Sequence, residues 1–390
     1  MLSSFLVLTF AALSHQVVID RFTSPGQNDL GNWHGNVLRI PSPIRLFHML
    51  ISRSPLLLPP GCDEGGAITC NFSGGSLSIT STDVDYSFYT QLNGGCQDIT
   101  GLDSQYLHVK HSGSDDFSIA LQQNNPSCNE AIAPYPETWD IVYAADYSSN
   151  GDIYIPLRHF NIDKKRTIGI AFKAFRSSTP TVLNLVEIVA TLPAGRSVPD
   201  KKATGPLFFE CTRPNSIAFG IDDGVPELAQ RMMEIINKAG IKVTFFTVGN
   251  SLYDSEGNFT AVYKEAIARG HQVALHSMTH PKLESLPVAQ IEQEFARSLA
   301  AVKDKLGEGV TTKYFRAPYG TDGALTRQKL EAAVGGGSKT INWVRSPLHP
   351  HLPHLLLSSL PGPPRRFNRY SVLTTRASGC RYRGLDMGGE

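Results

Sequence analysis

The sequence predicts an α+β multidomain chain, with an N-terminal β-sandwich followed by a β/α domain, a parallel sheet or a barrel covered by helices. Three observations carry this reading. At 390 residues the chain is long for a single core. From about Gly65 to Leu192, apolar residues recur with period two between clusters of Gly, Asn, Ser and Asp. From Ile217 onward, short apolar strands alternate with helical patterns.

The N-terminus precedes both domains. Leu2 to Leu13 is an apolar run with small residues near its end, followed by the polar switch Ser14-His15-Gln16. It has the length of a secretory signal-peptide core and is too short to span a bilayer, so residues 1–15 are expected to be a signal peptide. Two Asn-x-Ser/Thr sequons, Asn71-Phe72-Ser73 and Asn258-Phe259-Thr260, agree with export. So do six cysteines, none with zinc-knuckle spacing, among which Cys96 with Cys128 is the preferred disulfide. A secreted protein, extracellular or in a cell wall, is therefore expected. The formal net charge of +1 and the absence of a basic stripe argue against a nucleic-acid partner. No transmembrane segment is expected.

Residues 16–192 form the expected sandwich. The runs Ser76–Thr80, Tyr106–Lys110, Phe117–Leu121, Asp152–Ile155 and Val182–Ile188 each alternate. Residues 36–60, rich in Pro, Leu, Arg and His, follow no period and read as an irregular insert. Tyr86, Phe88, Tyr89, Tyr135, Trp139 and Tyr143 are candidates for stacking on sugar faces, although alternating aromatics in a sandwich usually face inward. The Pro-, Gly- and Lys-rich stretch within residues 193–214 reads as a linker.

Residues 215–343 carry the alternating pattern. Strands are expected at Ile217–Ile221, Lys242–Val248, Gln272–Leu275, Lys313–Phe315 and Thr340–Trp343. Helices are expected at Pro226–Ala239, Val262–Ala268, Pro287–Leu306 and after Gly323. The first helix shows an apolar stripe of Leu228, Met232, Ile235, Ile236 and Ala239. Residues 344–390 form an irregular tail.

Three polar clusters end predicted strands, where β/α folds place their active sites. Asp222-Asp223-Gly224 offers adjacent carboxylates that point in different directions on extended backbone, although Asp-Asp-Gly alone is usually a turn. His276-Ser277-Met278-Thr279-His280 places two imidazoles four residues apart, able to converge on one cation if the segment turns helically. With one Asp they make a two-His, one-carboxylate set with open positions, as catalytic zinc requires. Arg316-Ala317-Pro318-Tyr319 supplies a cation to orient a carboxylate, and a turn that can present a backbone N–H to an oxyanion.

Asp-Asp-Gly, His-Ser-x-x-His and Arg-x-Pro-Tyr, in this order, resemble the first three motifs of the polysaccharide deacetylase family, particularly its chitin-deacetylase-like members. Thr244–Gly249 resembles that family's second strand. The resemblance covers about Ser216 to Trp343. It implies a distorted (β/α) barrel, incomplete in this chain, and a hydrolase of N-acetyl amides in a polysaccharide such as chitin. Asp222 would be the catalytic base, tethered by Arg316, with the Tyr319 backbone N–H holding the oxyanion. Asp223, His276 and His280 would hold a divalent metal, most often Zn2+. The Ser277 hydroxyl would buttress the loop or make a plain turn hydrogen bond.

The sequence then departs from the family. Ile341-Asn342-Trp343 looks like the strand into a fourth motif, but no Asp-Trp follows, and the only later acidic residues are Asp386 and Glu390. Leu348-His349 imitates the letters of the last motif but sits far too early. Without a general acid the leaving amine departs poorly protonated, a loss of about two to four orders of magnitude. An incomplete barrel also has an unpaired edge. Translated intron or frameshifted sequence accounts for both irregular segments, Val344 falling where the pattern stops; a disordered tail is the alternative. Three function hypotheses follow: an impaired N-deacetylase, a secreted glycan-binding protein with a catalytically dead deacetylase-like domain, and a relative acting on O-acetyl esters.

Overall fold

The structure is a computed structural model and describes residues 16–35, 68–81, 83–129, 138–208, 211, 218–223 and 226–342. The expected signal peptide, the 36–60 insert and the 344–390 tail lie outside the described residues, as do Cys62, Tyr135, Gly224, Trp343 and Cys380. The chain divides into two compact units, residues 1–123 with 141–201, and residues 124–140 with 202–390.

Antiparallel strands build the first part of the chain. They are β1 (Val17–Asp20), β2 (His34–Gly35), β3 (Ile68–Phe72), β4 (Leu77–Ser81), β5 (Ser87–Gln91) and β6 (Tyr106–Gly113). After these come β7 (Ser118–Gln123), β8 (Thr138–Tyr143), β9 (Ser148–Ser149), β10 (Asp152–Pro156), β11 (Thr167–Lys173) and β12 (Thr181–Val189). One sheet runs β3-β4-β12-β6-β10-β9 with β1 added on β12, and a second runs β2-β5-β11-β7-β8. Period-two alternation points one face of each sheet at a shared apolar cluster: Leu107, Val109 and Ile153 from the first, Phe88, Ile119 and Phe172 from the second. Each such fully buried side chain contributes about 1.5–3 kcal/mol.

Phe88 is therefore core, not a sugar platform. Tyr86 packs against the same cluster, and the Tyr143 hydroxyl donates to Asp116 at 2.8 Å. Tyr89 stacks on Trp33 with centroids 6.4 Å apart. Cys96 and Cys128 are disulfide-bonded. The expected pair is thus the one formed.

The second unit contains the parallel strands β13 (Leu207–Phe208), β14 (Gly220–Asp223), β15 (Thr244–Thr247), β16 (Gln272–Leu275), β17 (Tyr314–Phe315) and β18 (Lys339–Ile341). Their order is β13-β18-β17-β16-β15-β14. Leu207 and Phe208, read from sequence as linker, pair instead with Thr340 and Ile341. The helices are α1 (Pro226–Ala239), α2 (Phe259–Ala268), α3 (Val288–Leu306) and α4 (Ala324–Ala333). Among the described residues, no helix is long and apolar enough to cross a membrane.

Two helices differ from expectation in detail. Among the described side chains of α1, Met233 and Ile236 are buried, while Ile235 is exposed. Residues three apart share a helix face, and Ile235 lies about 100° round from Ile236. Pro287 precedes α3 as its N-cap residue, not inside the first turn. The stripe that α3 buries is Ile291, Glu294, Phe295, Ser298, Ala301 and Val302, so two polar groups sit within an apolar face.

His271, just before β16, gives this unit an acid-sensitive point. Its Nδ1 accepts the Val243 N–H at 3.2 Å, which requires that nitrogen to be unprotonated. Burial, then the charges of Lys242 and Arg269, hold its pKa below the ordinary 6.5. A depressed folded-state pKa stabilises fully above the unfolded value, and that contribution is withdrawn as pH falls through the folded value. Melting midpoints of the chain should therefore drop more steeply below pH 6.5 than those of His271→Gln. Identical slopes would show that His271 does not control the acid limb.

Candidate functional site

Parallel pairing aligns the carboxyl ends of the strands. Asp223 is in register with Thr247, Thr247 with Leu275, Leu275 with Phe315, and Phe315 with Thr340. His276 and Arg316 each lie one residue beyond this row. They are held there as the ladder runs out: the His276 N–H donates to Thr247 O and the Arg316 N–H to Leu275 O, both at 3.0 Å. All three sequence clusters thus reach the same edge of one sheet.

Asp223, His276 and His280 place one ligand atom each within 4.8 Å of one another. His276 Nε2 lies 3.1 Å and His280 Nε2 3.0 Å from Asp223 Oδ1. His276 Nδ1 faces the Arg316 carbonyl oxygen at 2.8 Å, so this nitrogen carries the proton. In the neutral ring Nε2 then presents a lone pair to the carboxylate. Asp223 Oδ1 is itself buried and accepts no well-angled hydrogen bond. Lone pairs facing one another in this way repel unless a positive charge lies between them, so the donor set fits a divalent cation. Only when the two rings are protonated do hydrogen bonding and charge from His276 and His280 outweigh the raising effect of burial and hold the Asp223 carboxyl well below the ordinary 3.8.

The loop from His276 to His280 does not turn helically, as sequence reasoning required. Convergence comes instead from left-handed backbone at Ser277, φ 65°, and His280, φ 62°. Asp223 and Tyr319 are left-handed too, so four of the nine non-glycine residues with positive φ among the described residues gather at this site. Each costs about 1–3 kcal/mol and persists only where surrounding contacts enforce it. The Ser277 hydroxyl accepts the His280 N–H at 3.0 Å, closing the turn.

Beside this group lies a carboxylate–guanidinium pair. Arg316 Nη1 donates to Asp222 Oδ1 at 2.6 Å, its Nε donates to Ile341 O at 3.1 Å, and its guanidinium carbon stacks over the Phe246 ring at 4.1 Å. Three contacts fix the plane of the guanidinium, and with it the Asp222 carboxylate. Gly220 makes room: a Cβ there would come within 2.5 Å of Arg316 Nη1. Tyr319 lies against His280, ring centroids 4.8 Å apart, with its own ring more than half exposed.

Every sequence-predicted site residue is thus at one end of one sheet. Sequence reasoning missed Glu294. Its Oε2 accepts the N–H groups of Met278 and Thr279 at 2.8 and 2.9 Å, and its Oε1 accepts the Thr279 hydroxyl at 2.7 Å. The available signal was an acidic residue in the apolar stripe of α3.

Residues 209–334 match the polysaccharide deacetylase family. A chitin deacetylase of Pestalotiopsis sp is 32% identical over 141 residues, 35% of this chain and 44% of that protein. A chitin deacetylase of Colletotrichum lindemuthianum is 30% identical over 127 residues, 32% of this chain and 49% of that protein. The solved structure of the chitin deacetylase from Colletotrichum lindemuthianum aligns with 36% of this chain and 60% of its own, at 26% identity and a TM-score of 0.32. The chain spans less than half the length of these two curated relatives. The matched motifs lie on the strand ends that build the site, and the segment 209–334 belongs to the polysaccharide deacetylase family.

Proposed function

We propose that this chain is a metal-dependent polysaccharide N-deacetylase acting on a chitin-like amino-sugar polymer. The observation that carries the reading is the convergence of Asp223, His276 and His280 beside the Arg316–Asp222 pair. The names of the relatives support the substrate class. Asp223, His276 and His280 would hold a divalent cation, and the mixture of imidazole and carboxylate donors suits zinc. When bound, that ion supplies Lewis-acid polarisation of the acetyl carbonyl. Asp222 accepts the proton of the attacking water, Arg316 holds Asp222 aimed, and the Tyr319 backbone N–H stabilises the oxyanion. The apolar 2–13 run, the sequons and the Cys96–Cys128 disulfide support action outside the cell.

A second reading, a glycan-binding protein with a catalytically dead deacetylase-like domain, is favoured by one observation. Within residues 343–390 the only acidic residues are Asp386 and Glu390, so this stretch carries no Asp-Trp segment of the kind the resemblance implies. Turnover is accordingly proposed to be impaired in this chain. Acetate release from N-acetylglucosamine oligomers by the full chain decides between the readings. Release should vanish on removal of metal by chelation and return with zinc. Release from O-acetylated xylan alone would indicate an esterase. No release from either, together with retention of the chain on chitin, would replace catalysis by binding.

A further inference from the structure

We infer that Glu294 is the positioning residue through which helix α3 shapes the cation site. The inference rests on the reading of Asp223, His276 and His280 as metal ligands. Between the two histidines the chain takes left-handed backbone twice, at Ser277 and His280, in residues that are not glycine. Such a path needs outside contacts to enforce it. The loop's own turn supplies one, from the His280 N–H to the Ser277 hydroxyl. From α3, Glu294 takes two consecutive N–H groups, of Met278 and Thr279, and the Thr279 hydroxyl on one carboxylate.

The position is built for this task. Glu294 is 7% exposed on the apolar face of α3, where a carboxylate is retained only if its oxygens are satisfied. Here three short charge-assisted hydrogen bonds satisfy them. One turn further on, the Ser298 hydroxyl donates to the Ser277 carbonyl oxygen at 3.3 Å, so the same helix face grips the loop at a second point. Gly249 and Asn250 also donate their N–H groups to the loop, to the Ser277 and Met278 carbonyls at 2.9 and 3.0 Å. A Cβ on Gly249 would come within 2.5 Å of Met278 Sδ. The loop is thus held by Glu294, Ser298 and the 249–250 backbone together, and its direction decides where His280 Nε2 falls relative to Asp223. Glu294 itself is not a ligand: both its oxygens are occupied by the loop.

Equilibrium titration of the chelator-stripped full chain with Co2+, followed by the visible absorption of the bound ion, tests this. Glu294→Ala should weaken Co2+ binding by about 10–100-fold, the usual cost of losing an outer-shell partner. Glu294→Gln, which keeps a carbonyl oxygen for the two N–H groups, should recover most of that loss. Glu292→Gln, on the same helix but paired with Lys329 at 2.7 Å, should bind as the parent does. If the parent binds Co2+ and Glu294→Ala binds it within twofold, Glu294 does not position the loop, while the metal reading stands. If the parent takes up no Co2+, the metal reading falls and this inference with it. Should Glu294→Ala fail to fold, Thr279→Val carries the same test by removing only the hydroxyl contact: a loss of about threefold to tenfold is expected, and none overturns the proposal.

Discussion

Alanine at His276 is expected to abolish high-affinity zinc binding, with a loss larger than the about 10–100-fold that removal of a supporting partner costs. Three ligand atoms converge on the site, and losing one leaves two donors, too few to compete with water for a hard-hydrated cation. His276 is the most buried of the three residues and ties the two halves of the site together, because its Nδ1 donates to the Arg316 carbonyl oxygen. That bond fixes both the ring plane and the tautomer, so that Nε2 is the free donor. Zinc titration of the stripped protein provides the measurement, and the melting curve of the metal-free variant controls for loss of fold. Affinity equal to the parent's would mean that the cation, if any, is held elsewhere.

Asp222→Asn separates chemistry from binding. The variant should retain metal within about twofold, because Asp222 is not among the three converging ligands. Its turnover should fall by about two to four orders of magnitude, the range attributed to a positioned base. Asparagine keeps an oxygen for the 2.6 Å bond to Arg316 Nη1, so the guanidinium should remain in place and the loss should report proton transfer. The comparison needs acetate release and zinc affinity measured on the same preparation. Undiminished turnover would refute the base assignment; loss of both quantities would place Asp222 in the metal site instead.

Much of this site was legible because its chemistry is local. Asp222 and Asp223 end a strand, His276 and His280 follow one, and Arg316 follows another, so the rule that parallel strands deliver function at their carboxyl ends located all of them. Gln272–Leu275 and Pro226–Ala239 fall where periodicity placed them. Less legible were short elements with little period to read: Leu207–Phe208 passes as linker until it pairs with β18.

What the sequence determined by itself was the inventory of candidate ligands and the strands that carry them, together with the period-two and helical patterns and the cysteine pair Cys96–Cys128. Only the tertiary structure decided how the two histidines meet. A helical turn would have sufficed on spacing alone, yet the loop is left-handed at Ser277 and His280 and is held so by a carboxylate 14 residues beyond the second histidine. Likewise, Gly220 matters because the Arg316 guanidinium lies against it. The physical reason is common to both: backbone strain and close approach are set by non-local contacts, which no local pattern of residues encodes.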